Sequence, residues 1–425
     1  MRSSFGILFT TVFLDYFGFF IVLPYLFFLA QSLGATPFAY GLLISSYALM
    51  QFIFAPILGR LSDRYGRRRV ILLSLLGAGI SYFIFGIASS LWLLFAGRIL
   101  AGCTSSTLPV AQSYVADVTS EEARVKYIAI LGSGIGLGMI VGPAVGGILS
   151  NFYGYAAPSF LASALALANF AAACFRLPEP ASRKEGGDSI RIGLTALTGA
   201  FRQKAFALLL PATFIATVAF VFENAVASPW LQATFGYGSL QVGLIFAYSG
   251  VIFALTQGVF VPKMSKRYSA TTIALTGLVA ITAAYAALGA LPLVAVMLPA
   301  AGVLTIGFGL TNPTLSSLVS LNAGRGSQGS SLGAAASLNG LAQAVTPAIA
   351  TSTFSLGVSF GMSGFVMVVA AAVNATVVPL LLSFRRRGYP GASRIGGPIR
   401  TASLQGPSSS SGYGTATVRL PGRLA

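Results

Sequence analysis

Two predominantly apolar runs, 38–58 and 70–89, flank the eleven residues Gly59-Arg60-Leu61-Ser62-Asp63-Arg64-Tyr65-Gly66-Arg67-Arg68-Arg69, six of which are charged. A helix of about 20 apolar residues crosses the ~30 Å hydrocarbon layer, so each run is of spanning length. A charge cluster wedged between two such runs is a tight turn at a membrane surface. The rest of the chain repeats this design. Only 8% of its residues are charged, against 55% hydrophobic, with a mean hydropathy of +0.82. A soluble domain carries about 25% charged residues, so the composition is that of an all-α, polytopic membrane protein.

The same length criterion predicts twelve spans: 5–30, 38–58, 70–89, 91–114, 127–150 and 156–176 in the first half, and 206–231, 239–261, 270–289, 292–318, 330–356 and 360–384 in the second. Met1-Arg2 before an apolar run imitates a signal peptide, but the run is too long and Asp15 interrupts it, so it reads as a retained span. The expected domains are a first six-helix bundle (1–176), a polar linker (177–204) holding Pro178, Pro180, Arg183, Lys184, Glu185 and Asp188, a second bundle (205–384), and a basic Gly/Ser/Pro-rich tail (385–425) that cannot form a core. Cys103 and Cys174 both fall inside apolar segments, so no disulfide framework is expected.

Orientation follows from the bases. With twelve spans, every one of the 26 Lys and Arg residues except Arg98 falls on one side of the membrane. The positive-inside rule makes that side the cytoplasm, with both termini there. The net charge of +17 is thereby a topological signal, and no nucleic-acid partner is expected. Arg in excess of Lys, with plentiful Ala and Gly, points to a bacterial inner membrane.

The halves also repeat. Gly59-Arg-Leu-Ser-Asp-Arg-Tyr-Gly66 lines up with Pro262-Lys-Met-Ser-Lys-Arg-Tyr-Ser269, and Pro109 in span 4 corresponds to Pro313 in span 10. Such a parallel repeat places a binding site between the halves near the bilayer midplane.

Three motifs, in order, resemble those of the major facilitator superfamily. Gly59-x-x-x-Asp63-Arg64-x-Gly66-Arg67-Arg68 is similar to its signature loop between spans 2 and 3. Arg98, Gly102, Ser106 and Pro109, with Asp117 at the end of span 4, resemble its second signature. Gly138-x-x-x-Gly142-Pro143-x-x-Gly146-Gly147 resembles the span 5 motif of its twelve-span drug:proton antiporters. Within the superfamily, residues 8 to about 180 look closest to tetracycline-resistance exporters, through Tyr47-Ala-Leu-Met-Gln51, Phe54-Ala-Pro56, Ser62-Asp-Arg-Tyr-Gly-Arg-Arg68 and Asp15. The chain departs from them at Ser81, where those exporters place an acid, in a span 9 without an acid, and in having no histidine. The resemblance implies the major facilitator fold with two pseudo-two-fold related bundles. It further implies proton-coupled export of a small organic compound by alternating access, and a cytoplasmic gate at Gly59, Asp63, Arg64, Gly66, Arg67, Arg68, Asp117 and Arg124. In that gate Asp63 is expected near the N-terminus of span 3, pairing with Arg67 or Arg124. A reading in which the arginines only enforce topology stays open.

Charge inside a membrane is costly unless paired or wetted, so an intramembrane charge is a functional candidate. Asp15, Arg98 and Glu223 lie well inside spans, at depths that let all three face one central cavity. Asp15 or Glu223 is expected to carry the coupling proton. A carboxyl in low dielectric favours its neutral form and a nearby cation favours the charged one, and Arg98 is the expected movable partner, or a clamp on an anionic substrate. The competing readings are backbone bonding for Arg98 and snorkelling to the surface for Glu223. Gly134, Gly138, Gly142 and Gly146 form a smooth ridge, and Pro143 is expected to bend span 5; the ridge reads as a rocking surface or as ordinary packing. Tyr16, Gln112, Asn224, Trp230, Gln257, Asn312, Asn339 and Gln343 are cavity candidates, each with interhelical bonding as the alternative. Few fixed charges and abundant Phe suggest an amphipathic or hydrophobic cargo.

No metal cluster or cofactor motif is visible, and no nucleophile-base pair or nucleotide loop suggests an enzyme. The expected partners are a small-molecule substrate, protons and the lipid bilayer, with a monomer as the assembly. The alternatives are an importer or facilitator of a metabolite on the same fold, and a non-transporting membrane sensor.

Overall fold

The computed structural model describes residues 2–180, 204–323 and 328–391. The linker residues Arg183, Lys184, Glu185 and Asp188, Arg325, and the tail beyond Gly391 lie outside them. Nine of the expected spans are single helices: span 1 is Arg2–Ser32, span 2 Pro37–Tyr65, span 3 Arg67–Gly86, span 5 Glu121–Tyr153, span 6 Ala156–Arg176, span 7 Phe206–Phe235, span 9 Ala270–Ala290, span 10 Val294–Asn322 and span 11 Gln328–Ser359. Most overrun the expected bounds, because a helix satisfies its own backbone and continues past the hydrocarbon edge until a cap stops it. Span 2 shows both stops. Thr36 accepts the Ala39 N–H at 3.2 Å with Pro37 in the first turn, and Gly66, at φ 110°, ends it.

Spans 4, 8 and 12 are interrupted, which corrects their reading as continuous helices. Span 4 is Leu91–Thr104 and Thr107–Val118 around Ser105 and Ser106. Span 8 is Ser239–Leu255 and Val261–Ser265 joined by a π-helical turn, Thr256–Phe260, and span 12 is Phe365–Ala375 and Val377–Arg386. One cause serves all three: Pro109, Pro262 and Pro379 have no N–H to give the carbonyls of Ser105, Gly258 and Ala375, four residues earlier. Span 12 also starts at Phe365 rather than 360, after a turn with Gly361 at φ 71°. Span 5, by contrast, runs helical straight through Pro143. Among the described residues, eleven helical stretches are long and apolar enough to cross a membrane; span 11 has the length and carries Ser, Thr, Gln and Asn along it.

Within the first half span 1 packs on spans 5 and 6, span 2 on span 4, and span 3 on span 6; in the second, span 9 packs on spans 10 and 12, and span 7 on span 11. Polar ties replace the hydrophobic effect that lipid cannot supply. Tyr25 Oη and Ser159 Oγ are 2.7 Å apart, Tyr285 donates to the Ala219 carbonyl at 2.8 Å, and Asn374 donates to the Leu278 carbonyl at 2.9 Å.

The halves meet along spans 2 and 11 and along spans 5 and 8. Their contact is uneven. At the end away from the charged loop, Gln232 donates to Gln31 at 2.9 Å and Ser150 to Ser239 at 2.8 Å. There spans 5 and 8 touch backbone to backbone: a Cβ on Gly243 would sit 2.5 Å from the Pro143 carbonyl oxygen and 2.8 Å from the Gly147 Cα. At the charged-loop end, a Cβ on Gly59, Gly132, Gly258 or Gly333 would meet nothing within 4 Å. Among the described residues, the side-chain hydrogen bonds that join the halves lie at the far end, and open space lies beside these four glycines at the loop end.

Of the two readings of the span 5 ridge, the contacts match packing within the first half rather than a surface between the halves. Gly134, Gly138, Gly142 and Gly146 face Phe13, Phe17, Phe20 and Ile21 of span 1, inside the first half. The face that meets span 8 is instead Met139, Pro143 and Gly147. Pro143 frees the Met139 carbonyl, and Gly250 lies against that oxygen, where a Cβ would come within 2.7 Å of it.

Candidate functional site

A first cavity of about 340 Å³ is walled by spans 1 to 4 and touched by Gln343 of span 11. It holds Asp15, Tyr16 and Arg98. The break in span 4 shapes it, because Ser105, Ser106 and Thr107 line it where the helix parts. Arg98 is 4% exposed, and its guanidinium lies 4.8 Å over the Tyr47 ring, while its Nε has no hydrogen-bond partner. A desolvated cation over an aromatic face gains up to about 2 kcal/mol. Tyr47 Oη and Ser105 Oγ are 2.9 Å apart, and Gln51 Nε2 donates to the same Ser105 at 2.9 Å. The polar chain Arg98, Tyr47, Ser105, Gln51 therefore ends at the helix break. Arg98 shares the cavity with Asp15 but is paired with the Tyr47 ring rather than with the carboxylate.

A second cavity, about 300 Å³, is walled by spans 7, 8, 9, 10 and 12 and closed by Phe20 and Leu23 of span 1 and Ile135, Met139 and Pro143 of span 5. It lies between the halves, and Glu223 faces it with Asn224, Trp230 and Asn312. Asn224 Nδ2 donates to Glu223 Oε2 at 3.1 Å and to the Phe220 carbonyl at 2.9 Å. The expectation that Asp15, Arg98 and Glu223 share one cavity is therefore corrected: Asp15 and Arg98 line the cavity walled by spans 1 to 4, whereas Glu223, on span 7, lines the cavity walled mainly by the second half.

Three cavity candidates line neither space. Asn339 accepts from Thr217 Oγ1 at 2.8 Å and ties span 11 to span 7. Gln257 sits in the π-helical turn of span 8 and Gln112 in the second segment of span 4. Ser81, where the exporters place an acid, is fully buried and donates to the Gly77 carbonyl at 2.7 Å.

The charged loop forms a compact network. Asp63 lies in the last turn of span 2, not at the start of span 3, because the helix runs to Tyr65. Arg67 opens span 3 and reaches Asp63 at 2.5 Å through Nη1, Asp117 at 3.0 Å through Nε, and Ser62 Oγ at 2.6 Å. Arg124 donates to the Ala116 carbonyl at 3.3 Å, not to Asp63, and Arg64 stacks on Tyr65 at 5.3 Å. Each of these ties joins elements of the first half.

One part of the network escaped the sequence reading. Glu179, just past span 6, accepts the Arg68 N–H at 3.4 Å, and its carboxylate fills the space beside Gly66. It thereby takes the place of a side-chain cap for span 3. Arg68 Nη2 donates to the Cys174 carbonyl at 2.5 Å, and Tyr114 to that of Pro178 at 2.8 Å. Among the described residues, no group of His, Cys, Asp and Glu is arranged to hold a metal ion.

Residues 8–347 match the family model described as Major Facilitator Superfamily, and the chain belongs to that superfamily. It is thus an integral, multi-pass membrane transporter and not an enzyme. Similar proteins include tetracycline resistance protein, class B, of Escherichia coli, 31% identical over 353 residues, covering 82% of this chain and 87% of that protein. Class G of Vibrio anguillarum is 35% identical, covering 84% and 91%. Multidrug resistance protein 1 of Bacillus subtilis is 25% identical, covering 83% and 90%. The likeness to the tetracycline proteins therefore extends well beyond residue 180. In fold, the chain is similar to the nucleoside transporter NupG, with a TM-score of 0.76 at 16% identity over 90% of this chain and 99% of that one.

Proposed function

We propose that this transporter exports a small amphipathic or hydrophobic organic compound in exchange for protons, rocking its halves about the two cavities. The observation that carries the reading is the distribution of acids: Asp15 stands in one cavity and Glu223 in the other, within halves tied together at the end away from the charged loop. An acid reachable from alternate sides is what proton exchange requires. The relatives named for tetracycline and multidrug resistance support export, while Ser81, the acid-free span 9 and the absence of histidine leave the cargo apart from tetracycline itself.

In this reading 1–176 and 205–384 are the rocking bundles and the charged loop is cytoplasmic. Arg67, Asp63 and Asp117 hold the loop rigid while the gate opens, Arg98 moves between Tyr47 and Asp15, and the protein works as a monomer. The test is transport in proteoliposomes with an imposed pH gradient, reading proton flux as each of a panel of compounds is added. Flux with at least one compound, lost in both Asp15→Asn and Glu223→Gln, is the expected result. Unchanged coupling in both variants would overturn the proposal.

A further inference from the structure

The bases at the charged-loop end are answered differently in the two halves. In the first, Asp63, Asp117 and Glu179 engage Arg67 and the Arg68 N–H. In residues 205–391 the only acid is Glu223, which lies in the second cavity. Lys263 and Lys266, where span 8 runs into span 9, and Arg385, Arg386 and Arg387, where span 12 ends, are all exposed. None of the five has an ion-pair partner among the described residues.

A short strap brings these groups to one end of the bundle. After span 12 the chain turns at Gly388, φ 67°, and Gly391, φ 83°, and Tyr389 packs on Phe384 with ring centres 5.1 Å apart. Asn322 Nδ2, at the end of span 10, donates to the Pro390 carbonyl at 3.0 Å. The Thr271 N–H and hydroxyl, at the start of span 9, donate to the Gly391 carbonyl at 3.3 and 3.1 Å. Lys266 stands five residues before Thr271 and Arg387 four before Gly391, so a chain reach of at most ~3.6 Å per residue keeps their Cα atoms within ~18 and ~15 Å of that joint. The bases of span 12 are thereby held beside those that lead into span 9. Exposed Leu382 lies one turn before Arg385 and Arg386 on the same helix face, and exposed Leu321 lies beside Gly391.

We propose that this end of the second half is a docking surface for an anionic phospholipid, separate from both cavities and independent of the proton exchange proposed for them. A base near a membrane surface strengthens the hold on an anionic headgroup about 5-fold. The phosphodiester brings the negative charge and the acceptor oxygens that the five exposed donors lack. Leu382 and Leu321 stand on the hydrocarbon side of the bases, where they meet the acyl chains; a soluble polyanion would leave them uncovered. Because the strap is bonded to spans 9 and 10 and continues span 12, a headgroup that engages both groups of bases stiffens the joint. The lipid composition of the membrane thus acts on the second half without entering a cavity.

The probe is phosphatidylglycerol with a fluorescent acyl chain, titrated into the full-length protein in an uncharged detergent and read by anisotropy, with the matching phosphatidylcholine as control. Phosphatidylglycerol is expected to bind at least ~10-fold more tightly, and the preference to fall as salt rises from about 0.05 to about 0.5 M. Lys263→Gln/Lys266→Gln should weaken phosphatidylglycerol ~5- to ~25-fold, and Arg385→Gln/Arg386→Gln/Arg387→Gln at least as much. Arg60→Gln/Arg69→Gln removes two charges from exposed positions of the first half and should weaken it less than ~2-fold. Thr271→Ala/Asn322→Ala keeps every base but cuts two ties of the strap, and should weaken it ~3-fold or more through lost preorganisation.

Equal affinity for the two lipids, or equal loss in Lys263→Gln/Lys266→Gln and Arg60→Gln/Arg69→Gln, would overturn the proposal, the second by showing that only total charge matters. Displacement of the probe by glycerol 3-phosphate as effectively as by unlabelled phosphatidylglycerol would make this a site for soluble anions and overturn it too. Undiminished binding in Thr271→Ala/Asn322→Ala would do the same, since the strap is what gathers the bases.

Discussion

Replacing Gly243 by Ala tests the contact between the two halves at the far end. The added Cβ would lie 2.5 Å from the Pro143 carbonyl oxygen and 2.8 Å from the Gly147 Cα, both backbone atoms with no rotamer to escape into. Overpacking of this kind costs about 1–3 kcal/mol. That cost falls only on the conformation in which spans 5 and 8 touch at the far end, so the far-closed population should drop by ~5- to ~150-fold relative to the far-open one. The assay uses Gln31 and Gln232, hydrogen-bonded across the halves at that end. Cysteines at 31 and 232, with Cys103 and Cys174 replaced by Ser, would be bridged by a short bismaleimide in proportion to the far-closed population. Gly132→Ala is the control, because its Cβ meets open space. Slower bridging in Gly243→Ala with an unchanged rate in Gly132→Ala is expected. Equal rates in the parent and Gly243→Ala would refute the reasoning, and so would equal slowing in both variants.

Arg67→Lys keeps the charge but offers one nitrogen where Arg67 serves Asp63, Ser62 and Asp117; loss of the less exposed charge-assisted bonds to Asp117 or Ser62, worth ~1.5–3 kcal/mol each, should lower the thermal unfolding temperature in detergent, and an unchanged temperature would contradict the network. Asp117→Asn should destabilise more than Asp63→Asn, since the Asp117 side chain is 16% exposed and that of Asp63 50% and exposed pairs contribute only ~0–1 kcal/mol; the reverse order in the same assay would refute the ranking. Pro109→Ala restores the N–H that the Ser105 carbonyl lacks, so hydrogen exchange across 105–109 should slow about 2- to 13-fold for a bond of ~0.5–1.5 kcal/mol, and unchanged exchange would mean that the serines, not the proline, hold the break open.

Much of this architecture was legible because lipid imposes a length on every helix and a side on every base. The runs around Gly59–Arg69, the repeat at Pro262–Ser269 and the motifs at Arg98 and Gly138 were enough to reach the superfamily. Proline was an ambiguous sign. Pro109, Pro262 and Pro379 accompany interruptions, whereas Pro24, Pro56, Pro143, Pro211, Pro229, Pro299, Pro313 and Pro347 lie inside unbroken helices, so residue type alone does not say which helix breaks. Rotation about a helix axis was not legible either. Asn224 and Asn339 look alike as polar residues in apolar helices, yet one faces a cavity and the other Thr217. Glu179 sat in a stretch that read only as linker, since its role depends on chain 111 residues away in sequence.

Span 11 bears on how the protein enters the membrane at all. Its 32 residues carry Ser, Thr, Gln and Asn along their length and no acid or base, so it has polar groups to satisfy within the bilayer. Its neighbours are span 7, through Thr217 and Asn339, and span 2, at the other end of the gene. Span 11 therefore joins a helix made early to one made late, and its two packed faces are both filled only when the two halves are in the bilayer together.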